Sequence, residues 1–195
     1  ISGNKPLQSF DLDKFNVKRA YELSDGDRSV DDKARATKWL CQVINEAIDE
    51  ADIREFDGRV VVLIGTGLRE LRSLELWWAD QTPMHIRELH FGGAVRSECG
   101  MSVPVMTISN ACAASNYALG IATDMLALDE ADIVIVAGVD SITESMFGLL
   151  DRVNPNNPEI VQPLDDKRQG VLMGEGAAAI VLETTKHARA RGKES

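Results

Sequence analysis

The stretch PVMTISNACAASNYALG, Pro104–Gly120, joins a strand to a helix through a cysteine. Val103–Ile108 is a short apolar run that stops at Ser109-Asn110, and Ala113–Leu128 is an apolar, small-residue segment of helical length. So apolar a helix is expected to be buried rather than to lie on a surface. Cys112 stands at the elbow between the two. The first backbone N–H groups of a helix lack intrahelical partners and carry partial positive charge, which favours an anion placed there. Thiolate is the form of cysteine that attacks carbon, and the small neighbours Ala111, Ala113, Ala114 and Ser115 leave room for a substrate carbonyl. Cys112 is therefore the candidate nucleophile. The competing reading is an inert core thiol, the common state of cysteine in protein interiors, and the elbow alone leaves both open.

Outward from the elbow, Arg59–Ile64 (RVVVLI) and Ala131–Val139 (ADIVIVAGV) are β-branched runs without alternation, the pattern of strands buried on both faces of a sheet. Gly176–Glu183 (GAAAIVLE) is a further strand. Between these lie helical patterns. Asp31–Asp52 places Ala36, Leu40, Val43, Ile44, Ala47, Ile48 and Ala51 on one face. Residues 68–95 read as helix in two pieces broken at Thr82-Pro83, with Trp77 and Trp78 as packing residues. Asp57-Gly58 reads as a turn, Ser145–Val153 as a short helix or loop, Asn154–Pro158 as a break, and Thr184–Arg191 as a helix stopped by Gly192. The first 32 residues are polar and irregular, with a turn-like Ser24–Asp27 and with Phe10, Phe15 and Tyr21 as anchors onto a larger body. Strands alternating with helices imply a layered α/β fold with a mostly parallel sheet.

The 195 residues, 44% hydrophobic and 27% charged, suffice for one core, so a single soluble domain is expected. No run approaches the roughly 18 apolar residues of a membrane span, and no basic segment followed by an apolar one opens the chain, so a soluble, untargeted chain is expected. Three cysteines without C-x-x-C spacing suggest neither a disulfide framework nor a zinc ribbon; a reducing cytoplasm fits them and would keep a reactive thiol free. The net charge of −10 argues against a nucleic-acid partner. Gly65-Thr-Gly67 follows a strand, but the third glycine of a dinucleotide loop is replaced by Glu70. His85 and His90 fall on different sides of a helix and do not make a metal-binding pair.

Pro163–Glu183, PLDDKRQGVLMGEGAAAIVLE, resembles the segment P-F-D-x-x-R-x-G-F-x-x-G-E-G-A-x-x-x-V-L-E of β-ketoacyl synthases, the decarboxylating condensing enzymes of the thiolase-fold superfamily. Asn110–Ser115 resembles that family's nucleophile motif, with Asn110 where threonine is more usual. Ala137–Asp140 resembles its A-G-G-x turn, and His187–Gly192 the A-x-x-R-G end of a helix. On physical grounds Asp165 and Arg168 can pair to hold their loop, and Gly170, Gly174 and Gly176 permit positive φ or close backbone approach. Glu175 reads either as a general base or as a buried structural carboxylate accepting N–H bonds from the glycine-rich backbone. The second is preferred, because the elbow already supplies a nucleophile.

The resemblance implies a thiolase-like, layered α-β-α fold, of which residues 1–195 are part of the N-terminal half, without its first strand; the C-terminal half is absent from this chain. It implies acyl transfer from a carrier-protein phosphopantetheine onto Cys112, followed by attack of a decarboxylated malonyl-type thioester, with an oxyanion held by backbone N–H groups, one of them from Cys112. The family's two histidines and supporting lysine lie in G-T-G-T and G-H-x-x-G-A-A-G type motifs that this chain lacks, and His187 matches neither. Phe147-Gly148 matches the Phe-Gly that gates the acyl pocket, so Phe147 is a candidate substrate contact, although the shorter Asp140–Phe147 segment leaves pocket depth open. No metal or soluble cofactor is implied. The implied partners are an acidic acyl carrier protein and a second ketosynthase-type subunit, in a homodimer or heterodimer through the strand before the elbow. The alternative is a non-catalytic partner of the chain-length-factor type; such subunits usually replace the cysteine, and Cys112 counts against that reading.

Overall fold

The computed structural model describes residues 4–6, 11–24, 32–53, 58–79, 83–154 and 156–193. Phe10, residues 25–27 of the expected turn, Asp57, Thr82 and Pro155 lie outside them. In chain order the elements are β1 (Asn4–Pro6), β2 (Arg19–Tyr21), α1 (Arg35–Glu50), β3 (Val60–Gly65), α2 (Leu71–Trp78), α3 (Gly92–Glu98), β4 (Val105–Ile108), α4 (Ala114–Ala127), β5 (Ile133–Asp140), α5 (Glu144–Val153), β6 (Gly176–Glu183) and α6 (Thr185–Ala190). Short 3-10 turns occur at Leu12–Lys14, Ile86–Leu89 and Ala111–Ala113. Where chain length suggested one core, the residues form two compact units: Ile1–Arg35 with Leu71–Met84 and Ser141–Gly176, and Ala36–Glu70 with His85–Asp140 and Ala177–Ser195. Leu71–Met84 and Ser141–Gly176, from the segments that follow β3 and β5, group with the N-terminal stretch.

The second unit holds the sheet, in the order β4-β3-β5-β6. β3 runs parallel to both neighbours, and Gly65 is in register with Ile108 of β4 and Gly138 of β5. At the far edge the Thr184 N–H, just after β6, meets the Asp132 carbonyl, just before β5, at 3.0 Å, so β6 runs antiparallel and the sheet is mixed. Every residue of β3 is buried, as its unbroken β-branched run requires. Val61 and Leu63, with Val134 and Val136 of β5, pack against Ala118 and Ala122 of α4. Val60, Val62 and Ile64, on the opposite face with Ile133 and Ile135, are equally closed to solvent.

α4 is not buried all round. Ala114, Ala118 and Ala122 recur every fourth residue and set the helix close to the sheet, while Tyr117 (56% exposed), Ile121 and Leu128 on its other side face outward. In this chain the helix has one apolar surface to lie on, so its second apolar face is uncovered. α1 begins and ends inside the expected Asp31–Asp52. It stops at Asp52, whose left-handed backbone (φ 54°) lets the Ile53 N–H return to the Ile48 carbonyl at 3.1 Å. At its start the Thr37 N–H and hydroxyl both donate to the buried Glu70 carboxylate at 2.6 Å, a negative charge at the positive end of a helix.

In the first unit β1 and β2 pair antiparallel, and the Tyr21 backbone bonds Met173 and Glu175. The Phe15 and Phe147 rings meet edge to face, centroids 5.1 Å apart. Beside them the Asp151 carboxylate accepts the Asn16 and Val17 N–H groups at 2.8 and 2.6 Å. Residues 144–153 settle as helix because Thr143 caps the Met146 N–H and Glu75 accepts the Glu144 and Ser145 N–H groups. Trp77 and Trp78 are exposed (45% and 82%) rather than packed, since α2 turns Arg72, Ser73 and Leu76 inward and leaves no buried position for two consecutive indoles. The expected Asp165–Arg168 ion pair takes another form: Arg168 reaches the Asp165 carbonyl at 3.1 Å, while the carboxylate accepts the Lys167 N–H at 2.8 Å. Of the three loop glycines only Gly170 is dictated by the backbone, with φ 137° and no room for a Cβ against Asn154.

Candidate active site

β4 ends at Ile108, and within four residues the chain has turned to present Cys112. The turn is made by Ala111, whose φ of 46° lies in the left-handed region that residues with a Cβ adopt only at a cost of about 1–2 kcal/mol. Strain of this kind persists only where its surroundings impose it. The first closed turns run from the Ala113 N–H to the Asn110 carbonyl, 3.2 Å, and from the Ala114 N–H to the Ala111 carbonyl. The Cys112 N–H lies ahead of both, in the first turn where backbone donors lack intrahelical acceptors. The Cys112 side chain is exposed, not sealed in the core.

The strand ends hold this turn. A Cβ on Gly65 would stand 2.5 Å from the Ser115 Cα, so the last residue of β3 must be glycine for α4 to start where it does. The elbow thus sits at the carboxyl ends of the parallel strands, the usual place for sites in α/β sheets. The loop after β3 is organised by Asp140, the last residue of β5. Its carboxylate accepts the Thr66 hydroxyl at 2.9 Å, the Gly67 N–H at 3.0 Å and the Leu68 N–H at 2.7 Å, and the Thr66 oxygen accepts the Arg69 N–H at 2.8 Å. The glycine loop therefore spends its N–H donors on the protein's own anion, and the position where a dinucleotide loop has its third glycine is Glu70, which caps α1.

Glu175 is the structural carboxylate that the sequence favoured, with different donors. The Leu23 and Ile142 N–H groups and the Arg35 guanidinium reach it, rather than the glycine-rich backbone around it. Arg35 had no sequence signal, because nothing in its surroundings marks a buried cation. Phe147, on α5 in the first unit, is almost fully buried against Phe15, and Cys112 belongs to the second unit. Asp140 was visible only as the variable position of the A-G-G-x turn.

The remaining candidates have structural partners. His85 caps the Ile86–Leu89 turn, its Nδ1 accepting the Arg87 N–H at 3.2 Å, and His90 is exposed. His187 lies 2.8 Å from Glu183, which also takes the Arg191 fork; these bonds, Arg191's first, hold the Glu183 carboxyl below its ordinary range. The Cys99 Sγ approaches the Cys41 carbonyl at 3.8 Å. The neighbouring Cys99 side chain, with burial, pushes the Cys41 thiol up, and the Cys41 side chain draws the Cys99 thiol down. Among the described residues no three of His, Cys, Asp or Glu gather as a metal-binding group, and no helix is long and apolar enough to cross a membrane.

The family described as "Beta-ketoacyl synthase, N-terminal domain" matches residues 21–188, and the chain belongs to it. Among relatives, the chloroplastic 3-oxoacyl-[acyl-carrier-protein] synthase I of Hordeum vulgare is 29% identical over 97% of this chain and 48% of its own length. Nodulation protein E of Rhizobium leguminosarum bv. trifolii is 36% identical over 51% of this chain and 25% of its own length. Among solved structures, the ishigamide ketosynthase/chain length factor superposes with a TM-score of 0.79 at 29% identity, over 99% of this chain and 54% of that one. The fold is thus thiolase-like, and the chain spans about half the length of the relatives it matches from end to end.

Proposed function

We propose that the protein is a β-ketoacyl-acyl-carrier-protein synthase in which Cys112 carries the growing acyl group. The Cys112 thiolate attacks the carbonyl of an acyl thioester, a C–S bond forms, and the carrier thiol leaves with a proton. A malonyl-type thioester then loses carbon dioxide, and its carbanion attacks the acyl-Cys112 carbonyl and releases the thiolate for the next round. In both tetrahedral states the oxyanion is held by backbone N–H groups of the elbow, the Cys112 N–H among them. The observation that carries this reading is the exposed thiol set directly after the left-handed Ala111, at the strand ends of a chain belonging to this family.

The decarboxylating histidines are assigned to the part of the fold that the relatives carry beyond the matched half, since His85, His90 and His187 all have other placements. That remainder also gives the outward face of α4 something to cover it. Phe147 is retained as the side chain that closes the acyl pocket. The substrates arrive on carrier-protein phosphopantetheine, so the chemistry calls for no metal or soluble cofactor, and the reaction belongs to the cytoplasm. Dimerisation with a second ketosynthase-type subunit through β4 is supported by the place of that strand at the sheet edge, with Met106 43% exposed. The name of the ishigamide ketosynthase/chain length factor keeps a second reading in view, a non-catalytic partner subunit. Intact mass after exposure to an acyl thioester separates the two. A single acyl adduct that is absent in Cys112→Ala supports the enzyme; an unmodified Cys112 in folded, complete protein supports the partner.

A further inference from the structure

We propose that Asp140 is a positioning residue for Cys112: its carboxylate fixes the 66–69 loop as the wall against which the left-handed Ala111 is braced. This rests on the reading of Cys112 as the nucleophile.

The carboxylate takes three donors from consecutive residues, Thr66, Gly67 and Leu68, and so determines the path of that loop at each step. The loop in turn is tied to the approach to the elbow, the Thr66 N–H donating to the carbonyl of Ile108, the last residue of β4, at 3.0 Å. A Cβ built on Gly67 would lie 3.5 Å from both the carbonyl carbon and the oxygen of Ala111, and 3.4 Å from the Asp140 Oδ2. The peptide that links Ala111 to Cys112 therefore lies alongside the segment that Asp140 holds, within the width of one added methyl group. Ala111 has a Cβ and φ 46°, a conformation it would leave if that wall gave way. Relaxation of Ala111 rotates the following peptide, which carries the Cys112 N–H, the donor assigned to the oxyanion. An oxyanion donor must be aimed before the reaction, because its value comes from needing no reorganisation as charge develops. Asp140 acts at one remove. Its action is through the loop and not on the sulfur itself.

The distinction that tests this is between acylation and alkylation of the same sulfur. Alkylation by iodoacetamide needs only an accessible thiolate, whereas acylation by a short-chain acyl thioester of N-acetylcysteamine also needs the aimed N–H. Both rates are measured at Cys112 by peptide mass mapping in the intact protein, with Cys99 as internal reference. In Asp140→Asn one acceptor becomes a donor facing the loop, and acylation is expected to fall about tenfold while alkylation stays within about twofold. Thr66→Val, which removes a single bond to the carboxylate, lowers acylation by a smaller factor, and Thr66→Ser, which keeps the hydroxyl, restores it. Unchanged acylation in both Asp140→Asn and Thr66→Val overturns the proposal. So does a parallel fall in both rates with a loss of Tm, which would make Asp140 a support of the fold alone. Failure of the unmodified protein to acylate at Cys112 is a different result: it removes the nucleophile reading, and this inference with it.

Discussion

Arg35 and Glu175 form a two-pronged ion pair inside the first unit, Nη2 to Oε1 at 2.8 Å and Nη1 to Oε2 at 3.1 Å, with both side chains essentially out of solvent. The same carboxylate accepts the Leu23 and Ile142 N–H groups, so one residue joins four separate stretches of chain. Breaking a buried pair from one side strands the remaining charge, which costs about 3–5 kcal/mol. Glu175→Ala is therefore expected to lower the urea midpoint strongly. Arg35→Met combined with Glu175→Leu, which removes both charges, should lose much less. Equal losses in the single and double variants would show that packing, not charge pairing, is what the site supplies.

How much of this was legible beforehand depends on the range of each interaction. The β3 and β5 runs, the apolar face of α1 and the cysteine elbow are local patterns, and each lies where its residues placed it. The role of Glu175 could be narrowed from its neighbours, but its partners Leu23, Arg35 and Ile142 come from distant stretches of chain. Nothing local marks such encounters. Trp77 and Trp78 misled for a related reason: large aromatic residues are usually packed, yet on α2 the inward positions go to Arg72, Ser73 and Leu76. Asp140 gave no periodic signal, because its importance lies in three donors that the loop after β3 brings to it.

Gly65 offers a test of how the elbow is seated. A methyl group there would stand within 2.5–2.7 Å of the Ala114 and Ser115 backbone, so α4 must shift outward or β3 must bend. Overpacking of this kind costs about 1–3 kcal/mol. Gly65→Ala is expected to lower Tm and to slow acylation of Cys112 together, unlike the Asp140 variants. Thermal melting paired with thioester labelling reads both. A variant that melts and reacts as the unmodified protein does would refute the close seating of the helix.

The three thiols should separate by reactivity. Cys112 is exposed, Cys99 is partly exposed with its thiol drawn below the ordinary cysteine range by Cys41, and Cys41 is buried with its thiol pushed up. Titration of the native protein with an aromatic disulfide reagent at neutral pH is expected to count two fast thiols, the third appearing only on unfolding. Cys112→Ala should leave one fast thiol and Cys99→Ser should leave one. Prompt reaction of Cys41 in native protein would contradict its burial.

Acid should weaken the second unit through Arg59 and Asp132. The guanidinium donates to the Asp132 carboxylate at 3.1 Å from two nitrogens, and the Arg59 N–H adds a third bond at 2.9 Å. These bonds bring the Asp132 carboxyl down to about 2. A carboxyl depressed in the folded state contributes stability that is complete above its unfolded value, near 3.8, and is lost as pH falls toward 2. Glu183 shifts in the same direction and adds to the same trend. Urea midpoints of the unmodified protein should therefore drop between pH 4 and pH 2, and Asp132→Asn should show a shallower drop. Arg59 is half exposed, so added salt should narrow the difference.

Phe147 separates a stability role from a substrate role. Its ring is buried against Phe15, and truncating a core phenylalanine to alanine typically costs about 3–5 kcal/mol. Phe147→Ala thus confounds the two roles, because a partly unfolded protein also turns over slowly. Phe147→Leu keeps most of the volume and should cost much less, so it is the informative variant. If the side chain closes the acyl pocket, Phe147→Leu at nearly unchanged Tm will alter the ratio of acylation rates between short-chain and long-chain thioesters. A purely structural ring changes Tm and leaves that ratio alone. The readout is the ratio of Cys112 acylation by two-carbon and ten-carbon N-acetylcysteamine thioesters, measured beside the melting curve. A constant ratio across both variants removes Phe147 from the substrate site and leaves it as the partner of Phe15.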